Sequence, residues 1–160
     1  MEKILRRVYE NKGLTLALKI FSYIASAFSV AVFCVLLIFY YKISLTTAVA
    51  YLASLGLPFV LVSLIRLLID AKRPYQLYDF YDSKPKSKNG SSFPSRHAFS
   101  AFAIGTLALF SHTALGIILL ILGALMCVCR VLCGMHFIRD VVCGAIIGAA
   151  SSVIGALILL

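Results

Sequence analysis

The sequence predicts an all-α membrane protein, a polytopic helical bundle of about five transmembrane helices with an amphipathic helix at the N-terminus. Three observations predict it. The chain has 160 residues, of which 62% are hydrophobic and only 13% charged, where a soluble domain has roughly 25% charged residues. Its mean hydropathy is +1.02. The apolar residues come in long continuous runs, as membrane helices need, and not in the alternation of a β-barrel. A disordered chain would be poor in apolar residues, and one soluble core of this size cannot hide so much apolar surface. The remaining oddity is a formal net charge of +9.

The elements follow from where the charges fall. Charge is costly in lipid, and about 20 helical residues cross the roughly 30 Å hydrocarbon core. Residues 20–41, 43–65 and 141–160 are uncharged runs of that length. A fourth run, 98–129, is 32 residues long, too long for one span, and is broken by the polar turn Ser111-His112-Thr113. The predicted spans are therefore 18–41, 46–69, 95–111, 114–133 and 138–160, within one membrane-embedded domain covering 1–160. In segment 1–15, Ile4, Leu5, Val8 and Tyr9 recur at helical spacing among Glu2, Lys3, Arg6, Arg7 and Glu10, the pattern of an interfacial helix. No signal-peptide cleavage is expected, because the first apolar run has span length and no small-residue site follows it.

Segment 71–94 is the one extended polar stretch. It contains Pro74, Pro85, Pro94 and the run Lys84-Pro85-Lys86-Ser87-Lys88, so it reads as a solvated loop that carries part of a site. No internal repeat is visible, which counts against a transporter. Cys34, Cys127, Cys129, Cys133 and Cys143 lie in apolar sequence and read as small packing residues, not as a disulfide framework or a metal set. Lys19 and Lys42 read as snorkelling lysines, and His112 as a structural turn residue.

Three polar islands stand out by residue type and spacing. The first is Arg66 to Pro74, where a persisting helix would put Arg66 and Arg73 two turns apart on one face, with Asp70 placed to hold them. Paired guanidinium forks suit phosphate oxygens. The second is Phe93-Pro94-Ser95-Arg96-His97 at the start of the third span. A helix N-terminus binds anions through its free N–H groups, and His97 is a proton donor with a pKa near neutrality. The third runs from Arg130 to Asp140, with His136 and Asp140 spaced i, i+4, so that a carboxylate can orient an imidazole as nucleophile or base. In a serpentine chain the loops after the second and fourth spans share a membrane side, so the three islands meet. Two histidines, a carboxylate, a serine and several cations make a phosphoryl-transfer site. So much positive charge disfavours a metal ion, and no metal or cofactor is expected.

These islands resemble the three signature motifs of the type 2 phosphatidic acid phosphatase family, lipid phosphatases related to vanadium haloperoxidases. The first motif, Lys, six residues, Arg-Pro, is here Arg66, six residues, Arg73-Pro74. The second, Pro-Ser-Gly-His, is here Pro94-Ser95-Arg96-His97. The third, Ser-Arg, five residues, His, three residues, Asp, is here Cys129-Arg130, five residues, His136, three residues, Asp140. Arg66 for Lys, Cys129 for Ser, and five spans in place of the usual six are departures. The resemblance implies His136 as nucleophile, Asp140 as its orienting partner and His97 as acid and then base. It implies Arg66, Arg73, Ser95, Arg96 and Arg130 as the phosphate-binding set.

The implied activity is metal-independent hydrolysis of a lipid phosphate or diphosphate through a phosphohistidine. Phosphatidic acid, phosphatidylglycerol phosphate and isoprenyl diphosphates are the substrate candidates. The alternatives are a non-catalytic lipid-binding relative and a lipid phosphotransferase using the same His–Asp pair. The expected partners are the lipid substrate and the bilayer, with no nucleic acid, and a bacterial cell membrane is the expected location. Sidedness stays open. Fourteen of the fifteen basic residues, all except Lys42, share the side of the site. That distribution favours a cytoplasmic face, whereas the resemblance favours the opposite one.

Overall fold

The computed structural model describes residues 1–81 and 91–159, and these contain seven helices and no strand. They are α1 (Glu2–Glu10), α2 (Lys12–Ile43), α3 (Leu45–Ile69), α4 (Pro74–Leu77), α5 (Arg96–Ser111), α6 (Thr113–Leu132) and α7 (Ile138–Leu159). Among the described residues α2, α3, α6 and α7 are long and apolar enough to cross a membrane. The fifth long helix, α5, has 16 residues, about 24 Å at 1.5 Å per residue. It is the central element, packed on α7, α6, α2 and α3. The protein is thus an all-α membrane bundle, and the five predicted spans coincide with its five long helices. The Lys84–Lys88 run lies outside the described residues.

Breaks between helices have local causes. Asn11 separates α1 from α2 and caps α2, its side-chain oxygen accepting the Leu14 N–H at 3.0 Å. Such a cap satisfies a donor that the helix leaves free. The amphipathic helix is therefore shorter than segment 1–15. Its Leu5 and Val8 are buried against the bundle, while Arg6 and Glu10 pair at the surface at 3.1 Å. Ser44 and His112 are the extended residues at which the chain reverses. Helix α3 stops at Asp70, which takes a left-handed conformation (φ 42°, ψ 43°), one that Asp tolerates better than most residues.

That stop corrects the expectation for the first island. Arg66 lies in the last turn of α3, whereas Arg73 lies beyond the helix, so they do not share a helical face. Asp70 is exposed and makes no ion pair with either arginine among the described residues.

The outer faces of the bundle carry large apolar side chains in the open, including Leu57, Leu64, Leu67 and Leu68 on α3 and Ile146 and Leu157 on α7. In water this would be an aggregation surface, and in a bilayer it is the lipid contact. The interior divides by height. At the end near Ser44 and His112, Phe33, Tyr51, Ile104, Leu107 and Leu119 form an apolar core. There Phe33 stacks on Tyr51 at 5.2 Å, and the Tyr40 and Ser111 hydroxyls share a hydrogen bond. The other end holds the polar islands. Tyr9 of α1 meets Tyr81 there at 4.7 Å between ring centres, so the N-terminal helix lies on the side of the islands.

The closest helix contact is between α5 and α7. A β-carbon on Gly144 would run into the Ser95 carbonyl, and one on Gly148 into the Phe99 carbonyl. Small residues four apart let two helices approach until their backbones touch. Helix α5 answers with Ala98 and Ala103, both fully buried. Replacing Gly148 with Leu is expected to push α5 off α7 and cost about 1–3 kcal/mol. Melting of the purified variant in detergent checks this, as a lowered midpoint.

Candidate active site

Three chain breaks converge at the polar end: the loop after α3, the start of α5, and the α6–α7 turn. Helix α6 ends at Cys133, and Gly134 turns the chain with φ +69°. A side chain there would be strained and would also strike the Tyr81 ring. The Gly134 carbonyl accepts the Tyr75 N–H at 3.2 Å, and the Met135 carbonyl accepts Arg73 Nη1 at 3.5 Å. The α6–α7 turn is thereby tied to the first island.

His136 follows, before α7 begins, and Asp140 lies in the first turn of α7. Sequence spacing placed this pair on one helix. Instead, Asp140 reaches back as a capping side chain, its Oδ2 accepting the Phe137 N–H at 3.0 Å. A carboxylate is well placed there, because helix N-termini carry partial positive charge. The same Oδ2 lies 3.6 Å from His136 Nδ1, and both side chains are buried. That distance is an ion-pair distance, longer than a good hydrogen bond. Burial pushes the His136 imidazole below its ordinary pKa and outweighs the pull of Asp140 in the other direction. The ring is therefore neutral at physiological pH, with Nδ1 turned to Asp140, and its Nε2 makes no hydrogen bond among the described residues.

Ser95 and His97 are delivered by α5. The Ser95 N–H donates to the Asp140 carbonyl at 2.9 Å, and its buried hydroxyl accepts the Ala98 N–H at 3.4 Å as the cap of α5. Arg96 is exposed and His97 half-buried. Both line a cavity of about 680 Å³ between α2, α3 and α5, together with Ser26, Ser29, Phe59 and Ile104. His97 feels the charges of Arg130, Arg96 and Arg66 and lies within electrostatic range of His136.

The cations take different jobs. Arg66 is buried, and its Nη1 donates to the Pro94 carbonyl at 2.7 Å and the Ser92 carbonyl at 3.3 Å. It braces the strand of loop that leads into α5. Arg130 is also buried, 5.8 Å from the centre of the Tyr23 ring, and among the described residues its Nε has no hydrogen-bond partner. Leaving a buried donor unpaired costs about 1–3 kcal/mol. Arg139 is exposed and lies 3.5 Å from Asp140 Oδ1.

All eight predicted residues thus lie at one end of the bundle. Positive charge exceeds negative there, and the N-termini of α5 and α7 add partial positive charge to it. Among the described residues, no group of three His, Cys, Asp or Glu side chains could hold a metal ion.

Sequence reasoning missed one residue in this network. Ser92 is fully buried, its hydroxyl donating to Asp140 Oδ2 at 2.5 Å and lying 3.3 Å from His136 Nδ1. In the sequence it sits in a Ser-Ser pair before Phe93-Pro94 and looks like any turn serine.

The model of the PAP2 superfamily matches residues 47–159. The chain belongs to that family. With four helices built to span a bilayer, it is an integral-membrane member of this phosphatase family. No curated protein matches the chain. Two solved structures share the fold. Aquifex aeolicus LpxE is 24% identical with a TM-score of 0.70, over 97% of this chain and 93% of that one. The first transmembrane PAP2-type phosphatidylglycerolphosphate phosphatase from Bacillus subtilis is 20% identical with a TM-score of 0.72, over 98% and 83%.

Proposed function

We propose that this protein hydrolyses a phosphomonoester or diphosphate of a lipid through a phosphohistidine intermediate, without a metal. Phosphatidic acid, phosphatidylglycerol phosphate and isoprenyl diphosphates are the substrate classes. The single observation that carries the reading is a buried His136–Asp140 pair, its Nε2 free, set among arginines at the end of a membrane bundle.

The lipid phosphate enters from the polar end. Its oxygens meet Arg130, Arg73 and the α5 N-terminus, where Ser95 and Arg96 sit, and charge building on them is stabilised there. Nε2 of His136 attacks phosphorus as the bond to the lipid oxygen breaks. His97 gives that oxygen a proton and the lipid alcohol or monophosphate leaves. His97 then takes a proton from water, whose oxygen attacks the phosphohistidine and frees inorganic phosphate and His136. Arg66 acts mainly by holding the loop that positions Ser95. The apolar chain of the substrate lies against the 680 Å³ cavity that His97 lines, in a bacterial cell membrane. The intact His136, His97 and Asp140 speak for catalysis over a binding-only relative.

Purified protein assayed against a panel of lipid phosphates is expected to release inorganic phosphate, and an ester product in its place would mean phosphotransfer. The His136→Ala variant should fold normally and release none, and full activity in it refutes the mechanism. Activity is expected to survive EDTA, with Mg²⁺-reversible loss as the contrary result. The attacking form of His136 is neutral and its pKa in the free protein is lowered, so the acid limb of kcat/KM against pH should fall below the ordinary histidine value of about 6.5. Activity should be lost as pH drops through that limb and not before, which a pH–rate profile reads directly.

A further inference from the structure

We infer that Ser92 is a positioning residue that couples Asp140 to His136, so that the dyad of the proposed mechanism works as a His–Ser–Asp chain. This rests on the mechanism above for its catalytic meaning, but its geometry stands alone. Asp140 Oδ2 and His136 Nδ1 are 3.6 Å apart, too far for a good hydrogen bond. The Ser92 hydroxyl is close to both, 2.5 Å from the carboxylate oxygen and 3.3 Å from the ring nitrogen.

Donor chemistry orders the chain. An ionised carboxylate only accepts, so the Ser92 O–H donates to Asp140. Its lone pairs are then left for Nδ1–H, the tautomer that keeps Nε2 nucleophilic. As Nε2 bonds to phosphorus, positive charge grows on the ring. The hydroxyl, polarised by the carboxylate behind it, stabilises that charge while every proton keeps its owner.

The placement is built, not incidental. The Ser92 N–H donates to the Ala71 carbonyl at 2.8 Å, and its carbonyl accepts Arg66 Nη1 at 3.3 Å. Ser92 is therefore pinned from both sides, and its side chain is 0% exposed. Three other buried serines of the bundle donate to main-chain carbonyls, Ser29 to Ala25, Ser54 to Tyr51 and Ser152 to Ala103. Ser92 bonds to a carboxylate.

Thr and Val have the same shape and differ in the hydroxyl, so Ser92→Thr against Ser92→Val isolates the bond from packing, with Ser92→Ala as a third variant. Phosphate release from phosphatidic acid in detergent micelles gives kcat and KM. Titration of ¹⁵N-labelled histidines, with His136 assigned by the His136→Ala spectrum, gives the state of the ring. In Ser92→Val and Ser92→Ala, kcat should fall roughly 10- to 100-fold with KM little changed, the range of one charge-assisted hydrogen bond. Ser92→Thr should keep most of the rate.

The His136 midpoint should move down in Ser92→Val relative to Ser92→Thr, because the ring loses a contact that favours its charged form. The other charged groups around the ring, Asp140 on α7, Arg73 after α3, Arg130 on α6 and His97 on α5, are the same in both. Wild-type kcat in Ser92→Val overturns the inference, as does a rate loss with an unmoved midpoint, which is a packing defect. If the wild type releases no phosphate from any lipid, the proposed hydrolysis falls, and the midpoint comparison still decides Ser92.

Discussion

The contact between α5 and α7 is the constraint on which the site depends. Gly144 and Gly148 bring the α7 surface against the carbonyls of Ser95 and Phe99. At that separation the Ser95 N–H reaches the Asp140 carbonyl. One main-chain hydrogen bond then registers the second island against the third. A methyl group on either glycine would displace a backbone, not a flexible side chain, so the register has little room to yield.

Around that contact the polar end is organised as a shell of borrowed main-chain carbonyls. Arg66 holds those of Ser92 and Pro94, Arg73 that of Met135, and Tyr75 donates to that of Gly134. Burying an arginine without partners is costly, and these carbonyls meet that cost for Arg66 while fixing the loops. Arg130 is left with an unpaired Nε. The cations thus differ in what they already touch. The remote end, packed through Phe33, Tyr51 and Leu107, holds the helices in place and leaves the polar end free to carry unpaired groups.

Much of this was legible beforehand. Long uncharged runs delimit α2, α3, α6 and α7, because lipid excludes charge along a whole span. The Ser111-His112-Thr113 break was also readable, and residue type and spacing picked out the eight candidate residues that the fold gathers at one end. The Asn11 break was not foreseen, because interfacial and spanning helices can share continuous apolar spacing. The left-handed stop at Asp70 was missed for a related reason: helical periodicity through Arg66–Arg73 says nothing about where the backbone turns. Ser92 was hidden because a Ser-Ser pair in a proline-containing loop is ordinary turn chemistry, and its partners lie 44 and 48 positions away.

The sequence by itself determined the bundle, its family and the membership of the polar cluster, because hydrophobic run length and motif spacing are local properties of the chain. Tertiary structure decided that Arg66 braces a loop while Arg96 lines the cavity, that Asp140 reaches His136 as a helix cap and not along a helix face, and that Ser92 stands between them. Those are distances between segments, set by how closely glycine and alanine let α5 and α7 approach, and no spacing along one chain encodes them.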